Sequence, residues 1–286
     1  MSGTGVVRRL GDMSWTDVRD EIAKDPVPIV LIPIGVVEQH GPHLPLNEDS
    51  MVAEWVAERI SERTGALVAP VLNYGYSPTF RGYPGTINLQ SETLRAITYD
   101  IVSELARHGL RRIVLVNNNG GNVGPCMTAC YDVRKEYGIV VGQVYPWSLG
   151  YTMMRDQYED PDKVYGHGGE PEHSAMKVMF PELVQPVSAE TIAAAGFKSY
   201  GDWKAGGYQG AVVPGQSVQG TMFWDTSEVN PTGASGDLTV ASKEIGEVWV
   251  ERIVGFGAAF VEEFDKQTAK APWAKAPGKL SAIDGL

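Results

Sequence analysis

Residues 27–35 read VPIVLIPIG, nine positions without a polar interruption. A strand with one wet face alternates apolar and polar residues. A strand that is apolar throughout is covered on both faces, as in parallel sheets flanked by helices. The chain supplies what such a sheet needs. MVAEWVAERISERTG reads as a helix ending at Gly65, and ALVAPVLNYG as the next strand. SETLRAITYDIVSELARHG is an amphipathic helix opened by Ser91 and closed by Gly109. RRIVLVNNNGGN is a strand running into a glycine turn, VGPCMTACYDVRKEYG a helix, and IVVGQVYPW a strand. An earlier short helix, SWTDVRDEI, has Ser14 or Thr16 as its N-cap.

Strand and helix thus alternate over residues 27–147. The expected fold is α/β, a three-layer α/β/α arrangement on a mainly parallel sheet with right-handed crossovers. Residues 148–224 are less regular, with a helix at EPEHSAMKVMF and an edge hairpin at GAVVPGQSVQGTMFW. One long helix is expected over 237–266. No repeat or linker divides the chain, so residues 1–286 read as a single domain with loosely packed termini at 1–13 and 268–286.

Composition excludes several function classes. A formal charge of -11 argues against nucleic-acid partners, which need clustered Lys and Arg. No apolar run approaches the ~18 residues of a membrane span. The N-terminal stretch has no apolar signal core, and cytoplasmic location is the default. The two cysteines, Cys126 and Cys130, are spaced as buried thiols on one helix face.

In open parallel sheets, ligands bind beyond the carboxyl ends of the strands. Two polar clusters follow strands in this way: VEQHGPHLPLNEDS, with Glu38, His40, His43, Glu48 and Asp49, and NNNGGN at 117–122. Glu38 and His40 stand two apart, so on extended chain they point the same way. A carboxylate and an imidazole on one side suit a divalent transition metal. Asp49 reads either as a further ligand or as the N-cap of the helix after it, and His43 as a loop-orienting residue. A third cluster, GHGGEPEHS, carries His167, Glu170, Glu172 and His173. His167 is a candidate proton donor, since imidazole titrates near neutrality. NNNGGN matches neither G-x-G-x-x-G nor the P-loop, so its amides read as partners for turn backbone, substrate or metal. Of the aromatics around the irregular region, Trp147 is a candidate wall of the pocket.

Together these clusters resemble the creatininase family, the creatinine amidohydrolases. GVVEQHGPHLPLNEDS is similar to the family's G-S/A-x-E-Q-H-G-P-H-L-P-L-x-T-D, RGYPGTINLQ to its F-P-G-T region, VNNNGGN to N-G-H-G-G-N, HGGEPEHS to H-A-G-E-x-E-T-S, and PTGASGDLTVASKEIGE to a C-terminal glycine-rich segment. The resemblance spans residues 14–260 in consistent order. It implies a metal-dependent hydrolase of a small cyclic or amide-like substrate. The cofactor would be zinc or manganese, with iron a third candidate, as one ion or two. The protein would form a homo-oligomer, such as a hexamer. By position it implies Glu38, His40 and Asp49 as metal ligands, with Asp49 bridging if two ions bind. Glu172 would bind metal or activate water, with Glu170 as the other candidate base, and His167 would be the active-site histidine.

The chain also departs from the family pattern. Asn119 stands where the family has His, Gly121 where creatininase has Glu, Glu48 and His173 where it has Thr, and Thr79 and Phe80 where relatives carry Glu-His. These departures point to a substrate other than creatinine. Asn119, Gly120, Gly121 and Glu48 are therefore expected to contact substrate along with Trp147. The bond cut is expected to be a C–N amide or a ring C–C bond of a cyclic diketone such as an inositol-derived diketone. The alternative is a metal-dependent isomerase or lyase acting on a keto-sugar or keto-polyol.

Overall fold

The computed structural model describes residues 5–275. Its first half alternates: β1 (Arg8–Arg9), α1 (Trp15–Ile22), β2 (Ile29–Ile34), α2 (Glu48–Thr64), β3 (Leu67–Val68), α3 (Ser91–His108), β4 (Arg112–Asn117), α4 (Val123–Tyr137) and β5 (Val141–Val144). The five strands form one sheet in the order β1-β3-β2-β4-β5, with every neighbouring pair parallel. The apolar run at 27–35 supplies the central strand, buried at all of its positions.

Alternate residues of β2 and β4 feed two cores. Ile29, Leu31, Val114 and Val116 pack with Val52 and Val56 of α2 on one face. Val30, Ile32, Ile113 and Leu115 pack with Leu94 and Val102 of α3 and Val133 of α4 on the other. Each such side chain contributes about 1.5–3 kcal/mol when fully buried. The result is the expected α/β/α layering.

The second half runs through α5 (Pro146–Met153), α6 (Pro161–Val164), α7 (Glu172–Met179) and α8 (Ala189–Ala194). Two small antiparallel hairpins follow, β6 (Ser199–Tyr200) with β7 (Trp203–Lys204) and β8 (Gly210–Val212) with β9 (Gln219–Thr221). The last helix is α9 (Lys243–Thr268). It is shorter at its start than the expected 237–266. Asp237 turns its carboxylate onto the Thr239 N–H (2.9 Å), a local bond that competes with helix. The helix opens only at Ser242, whose hydroxyl accepts the Ile245 N–H.

The expected loose termini also need correction. Residues 8 and 9 extend the sheet beside β3, held by Arg8 N–H on Ser61 (3.2 Å) and an Arg9–Glu58 ion pair (2.5 Å). Trp273 packs on the second core, and its carbonyl accepts from Arg111 (2.6 Å). The rest of these expected termini, 1–4 and 276–286, lies outside the described residues.

Two features position the site. The β2–β4 register sets Ile34 beside Asn117, so the loops leaving both strands start side by side. Gly35 then lets the first turn of α2 rest on the end of β2: a Cβ at Gly35 would fall 2.3 Å from Ser50 Cα. Glu48 and Asp49 are thereby brought back over the end of β2, beside the loop that carries Glu38 and His40. Asn47, not Asp49, is the N-cap.

Candidate active site

A cavity of about 330 Å³ opens at the carboxyl ends of β2 and β4. Glu38, His40 and Asp49 form one wall, and the loop Asn118 to Gly121 a second. His167 reaches in from the loop before α7, Glu172 from the first turn of α7, and Trp147 from α5. Three separate sequence clusters therefore meet in one pocket.

The charged groups are packed tightly and lie out of water. His40 Nε2 is 2.9 Å from Glu48 Oε2, 3.6 Å from Asp49 Oδ1 and 3.9 Å from Glu38 Oε1. His167 stacks on His40 with ring centres 4.4 Å apart, and on Phe80 at 4.1 Å. Its Nε2–H donates to the Gln39 carbonyl (2.5 Å), which leaves Nδ1 facing Glu172 Oε2 at 3.9 Å. Glu172 accepts from the Gly168 N–H (2.6 Å) and the Tyr151 hydroxyl (3.1 Å). Asp49 accepts from Trp147 Nε1 (2.8 Å) and Asn119 Nδ2 (3.0 Å).

Crowded burial shifts these groups strongly. Burial, then the charge of Asp49, pushes Glu38 up to about 8. Burial and the charge of Glu48 hold Glu172 well above the usual carboxylate range. Burial raises Glu48 as well, with the nearby imidazole of His40 opposing it. For His40 burial works the other way, but the carboxylates of Glu48 and Asp49 outweigh it and raise the imidazole well above its ordinary value. Burial and the neighbouring charge of His40 hold His167 well below its own.

The residues present fit a divalent cation. Glu38 Oε2 and both Glu48 oxygens are buried without a hydrogen-bond partner. Buried carboxylate oxygens without donors are costly unless a cation or a proton neutralises them. Two groups bring their ligand atoms within 4.8 Å of one another: Glu38, His40 and His167, and His40, Glu48 and Glu172. Imidazole and carboxylate ligands suit zinc or manganese.

Most of the expected site residues converge here, and two stand elsewhere than expected. Glu48 is not in the cavity wall. As the first residue of α2 it turns inward, fully buried, against His40. Glu170 also points away, its carboxylate taken by the Tyr158 hydroxyl (2.6 Å) and Ser174 Oγ (2.8 Å). Gly120 and Gly121 do line the cavity, and a Cβ at Gly121 would fall 1.9 Å from the Tyr76 carbonyl, so no side chain fits there. His43 behaves as a loop-orienting residue, its Nε2 bonded to the Gly168 carbonyl (2.7 Å). Tyr145, Tyr151 and Tyr208 complete the wall. Nothing in the sequence marks Tyr145 as a site residue, and Tyr208 comes from an irregular segment with no periodicity to mark it.

Comparison with known proteins identifies the family. The family profile described as "Creatininase: Creatinine amidohydrolase" matches residues 11–261. The chain belongs to the creatininase family. It is 30% identical over 278 residues to the creatinine amidohydrolase of Pseudomonas putida, covering 89% of this chain and 96% of that protein. It is 26% identical to the 3-dehydro-scyllo-inosose hydrolase of Thermotoga maritima, over 85% of this chain and 79% of that one. Among solved structures, a creatininase mutant described as the Zn-Zn type aligns with a TM-score of 0.69 at 27% identity, over 90% of this chain and 98% of that one. A structure described as "Creatininase Mn" aligns with a TM-score of 0.68 at 28% identity, over 90% and 99%. The chain is thus a metal-dependent hydrolase of this family, and its membership favours hydrolysis over the isomerase or lyase alternative. No helix among the described residues is long and apolar enough to cross a membrane.

Proposed function

We propose that this hydrolase opens a compact, uncharged, polar substrate, either at a cyclic amide C–N bond or at a ring C–C bond flanked by ketones. One observation carries the reading. The cavity wall joins buried carboxylates and imidazoles on one side to tyrosine hydroxyls and amides on the other, with no Lys or Arg among its described lining residues. A phosphate or carboxylate on the substrate would meet Glu38, Asp49 and Glu172 with no Lys or Arg in the described wall to pair it. A small neutral ring with carbonyl and hydroxyl groups finds donors and acceptors throughout.

His40 and Glu172, with carboxylates drawn from Glu38, Glu48 and Asp49, are the residues proposed to hold the metal. A bound divalent ion supplies Lewis acidity and lowers the pKa of water from ~15.7 towards neutral. Glu172, kept basic-leaning by its buried, carboxylate-rich setting, takes the proton from the attacking water. His167 receives it on Nδ1, which faces Glu172 while the Gln39 carbonyl holds the opposite nitrogen as N–H. From there the proton goes to the leaving nitrogen or enolate carbon. Tyr145, kept neutral by burial and nearby Asp49, points a donor at the developing oxyanion. Trp147 and Phe80 shield the reacting centre from water.

The test is a parallel assay of cyclic amides and cyclic β-diketones, each with and without a carboxylate substituent, in ¹⁸O-labelled water. Turnover of neutral rings with ¹⁸O in the product supports the reading. Turnover without ¹⁸O defeats hydrolysis, and a preference for the carboxylated rings defeats the substrate class. Activity on amides alone removes the C–C bond from the proposal.

A further inference from the structure

We propose that the centre holds one divalent ion, bound by His40, Glu48 and Glu172, and that the Asn119 amide takes the place of a second cation between Glu38 and Asp49. The inference rests on the metal-dependent reading above and specifies how this chain realises it.

Asn119 has a fixed orientation. Its Oδ1 accepts the Gly121 N–H at 2.8 Å. Its Nδ2 then donates one hydrogen to Glu38 Oε1 (3.1 Å) and the other to Asp49 Oδ2 (3.0 Å). The reverse orientation would set an amide oxygen against two carboxylates and an amide N–H₂ against a backbone N–H, so the neighbours decide the assignment. All three bonds are made from a buried side chain. To become a metal ligand, Asn119 would have to turn its oxygen inward and break all of them. An amide that gives both hydrogens to two carboxylates does part of the work a cation does there. The rest of this loop offers no replacement, because Gly121 has no room for a side chain beside Tyr76.

Glu48 is in the opposite condition. It is 0% exposed, and neither of its oxygens has a hydrogen bond. Its Oε2 is 2.9 Å from His40 Nε2, and with Glu172 the three residues bring their ligand atoms within 4.8 Å of one another. The other geometric group, Glu38, His40 and His167, is largely spoken for. Its His167 Nε2 is bonded to the Gln39 carbonyl and its Glu38 Oε1 to Asn119. Glu38 keeps one oxygen, Oε2, without a hydrogen bond, whereas Glu48 has no hydrogen bond on either oxygen, so the place most in need of a cation is beside Glu48 and the place already bridged is beside Asn119.

The experiment is a metal count. The full chain is loaded with Zn²⁺ or Mn²⁺, freed of excess metal and analysed by elemental mass spectrometry, with anomalous diffraction at the metal edge. The expected result is about one ion per chain and one anomalous peak, next to His40, Glu48 and Glu172. Glu48→Gln should lower metal affinity more than tenfold, and Asn119→Asp, which swaps the donor for a third carboxylate, should raise the count towards two. Two ions in the unmodified protein, or full affinity in Glu48→Gln, would overturn the inference and leave the hydrolase reading intact. No bound metal at all would overturn both.

Discussion

Two pairs of histidines lie within a few residues of one another, and only one of them belongs to the catalytic cavity. His40 and His167 stack at 4.4 Å, and His43 and His173 meet edge-on at 4.6 Å. All four are buried. In the second pair burial lowers both imidazoles, His173 to about 3, with no carboxylate to oppose it. In the first pair Glu48 and Asp49 push His40 the other way. The lesson is that histidine burial alone does not make a centre. The carboxylates that share the space separate one imidazole's behaviour from its neighbour's and give a cation somewhere to bind.

The comparison breaks first, and most severely, at His40. His40→Ala should abolish metal binding and lower kcat/KM by well over ~100-fold, since changes to residues that merely orient ligands already cost ~10–100-fold. Elemental analysis and steady-state kinetics check this, and retained metal would remove His40 from the ligand set. His167→Asn comes next, with a fall in kcat of ~10²–10⁴ while bound metal stays, because the proton path is lost and the ligands are not. Metal loss in that variant would reassign His167.

The second pair should tolerate change. His43→Phe removes the bond to Gly168, whose N–H holds Glu172. A loss of about 1–3 kcal/mol in stability is expected, with kcat reduced less than tenfold. Thermal denaturation and kinetics separate the two effects. An activity loss matching His167→Asn would dissolve the distinction between the pairs.

Metal removal sharpens the electrostatic half of the contrast. Between pH 6.5 and about 8 the unfolded chain has released the protons of its carboxyls and histidines, whose ordinary values are 4.5 and 6.5. The metal-free folded chain still holds protons on Glu38, raised to about 8, and on His40. The folded state then binds more protons, so its stability falls as pH rises through this window. Chelated protein should show a melting temperature that drops from pH 6.5 to 8, and metal-loaded protein a flatter profile. Equal slopes would mean that the cation is not neutralising these groups. The smallest effect expected is at the thiols. Burial pushes Cys130 up to about 12 and raises Cys126, so folded protein at pH 8 should resist iodoacetamide, and rapid labelling would contradict that burial.

The sequence carries the sheet half of the molecule more openly than the site's finer roles. The strand at Ile29–Ile34, its partner at Arg112–Asn117 and the helices between them follow from uninterrupted apolar runs and glycine stops. Glu38, His40, Asp49, His167 and Glu172 can be picked out because they crowd the ends of those strands or fall on family motifs. Glu48 reads as a substrate contact because it departs from the family's Thr, and with Asp49 as the cap it would stand outside the helix. With Asn47 as the cap, Glu48 turns inward. Glu170 cannot be told from Glu172 by spacing, since what separates them is Tyr158 and Ser174, distant or unremarkable in sequence. Tyr208 enters from a hairpin region whose placement depends on packing around Trp224, not on any periodic pattern.

The bond from Trp147 to Asp49 has a practical side. Its indole also leans on Trp249, with ring centres 4.9 Å apart, so a carboxylate at the centre is wired to a pair of coupled chromophores. Whatever changes the charge on Asp49 alters the field at that pair. Filling or emptying the centre should therefore show up as a change in ultraviolet emission or near-ultraviolet dichroism, giving the protein a built-in gauge of its own occupancy that needs no substrate to read.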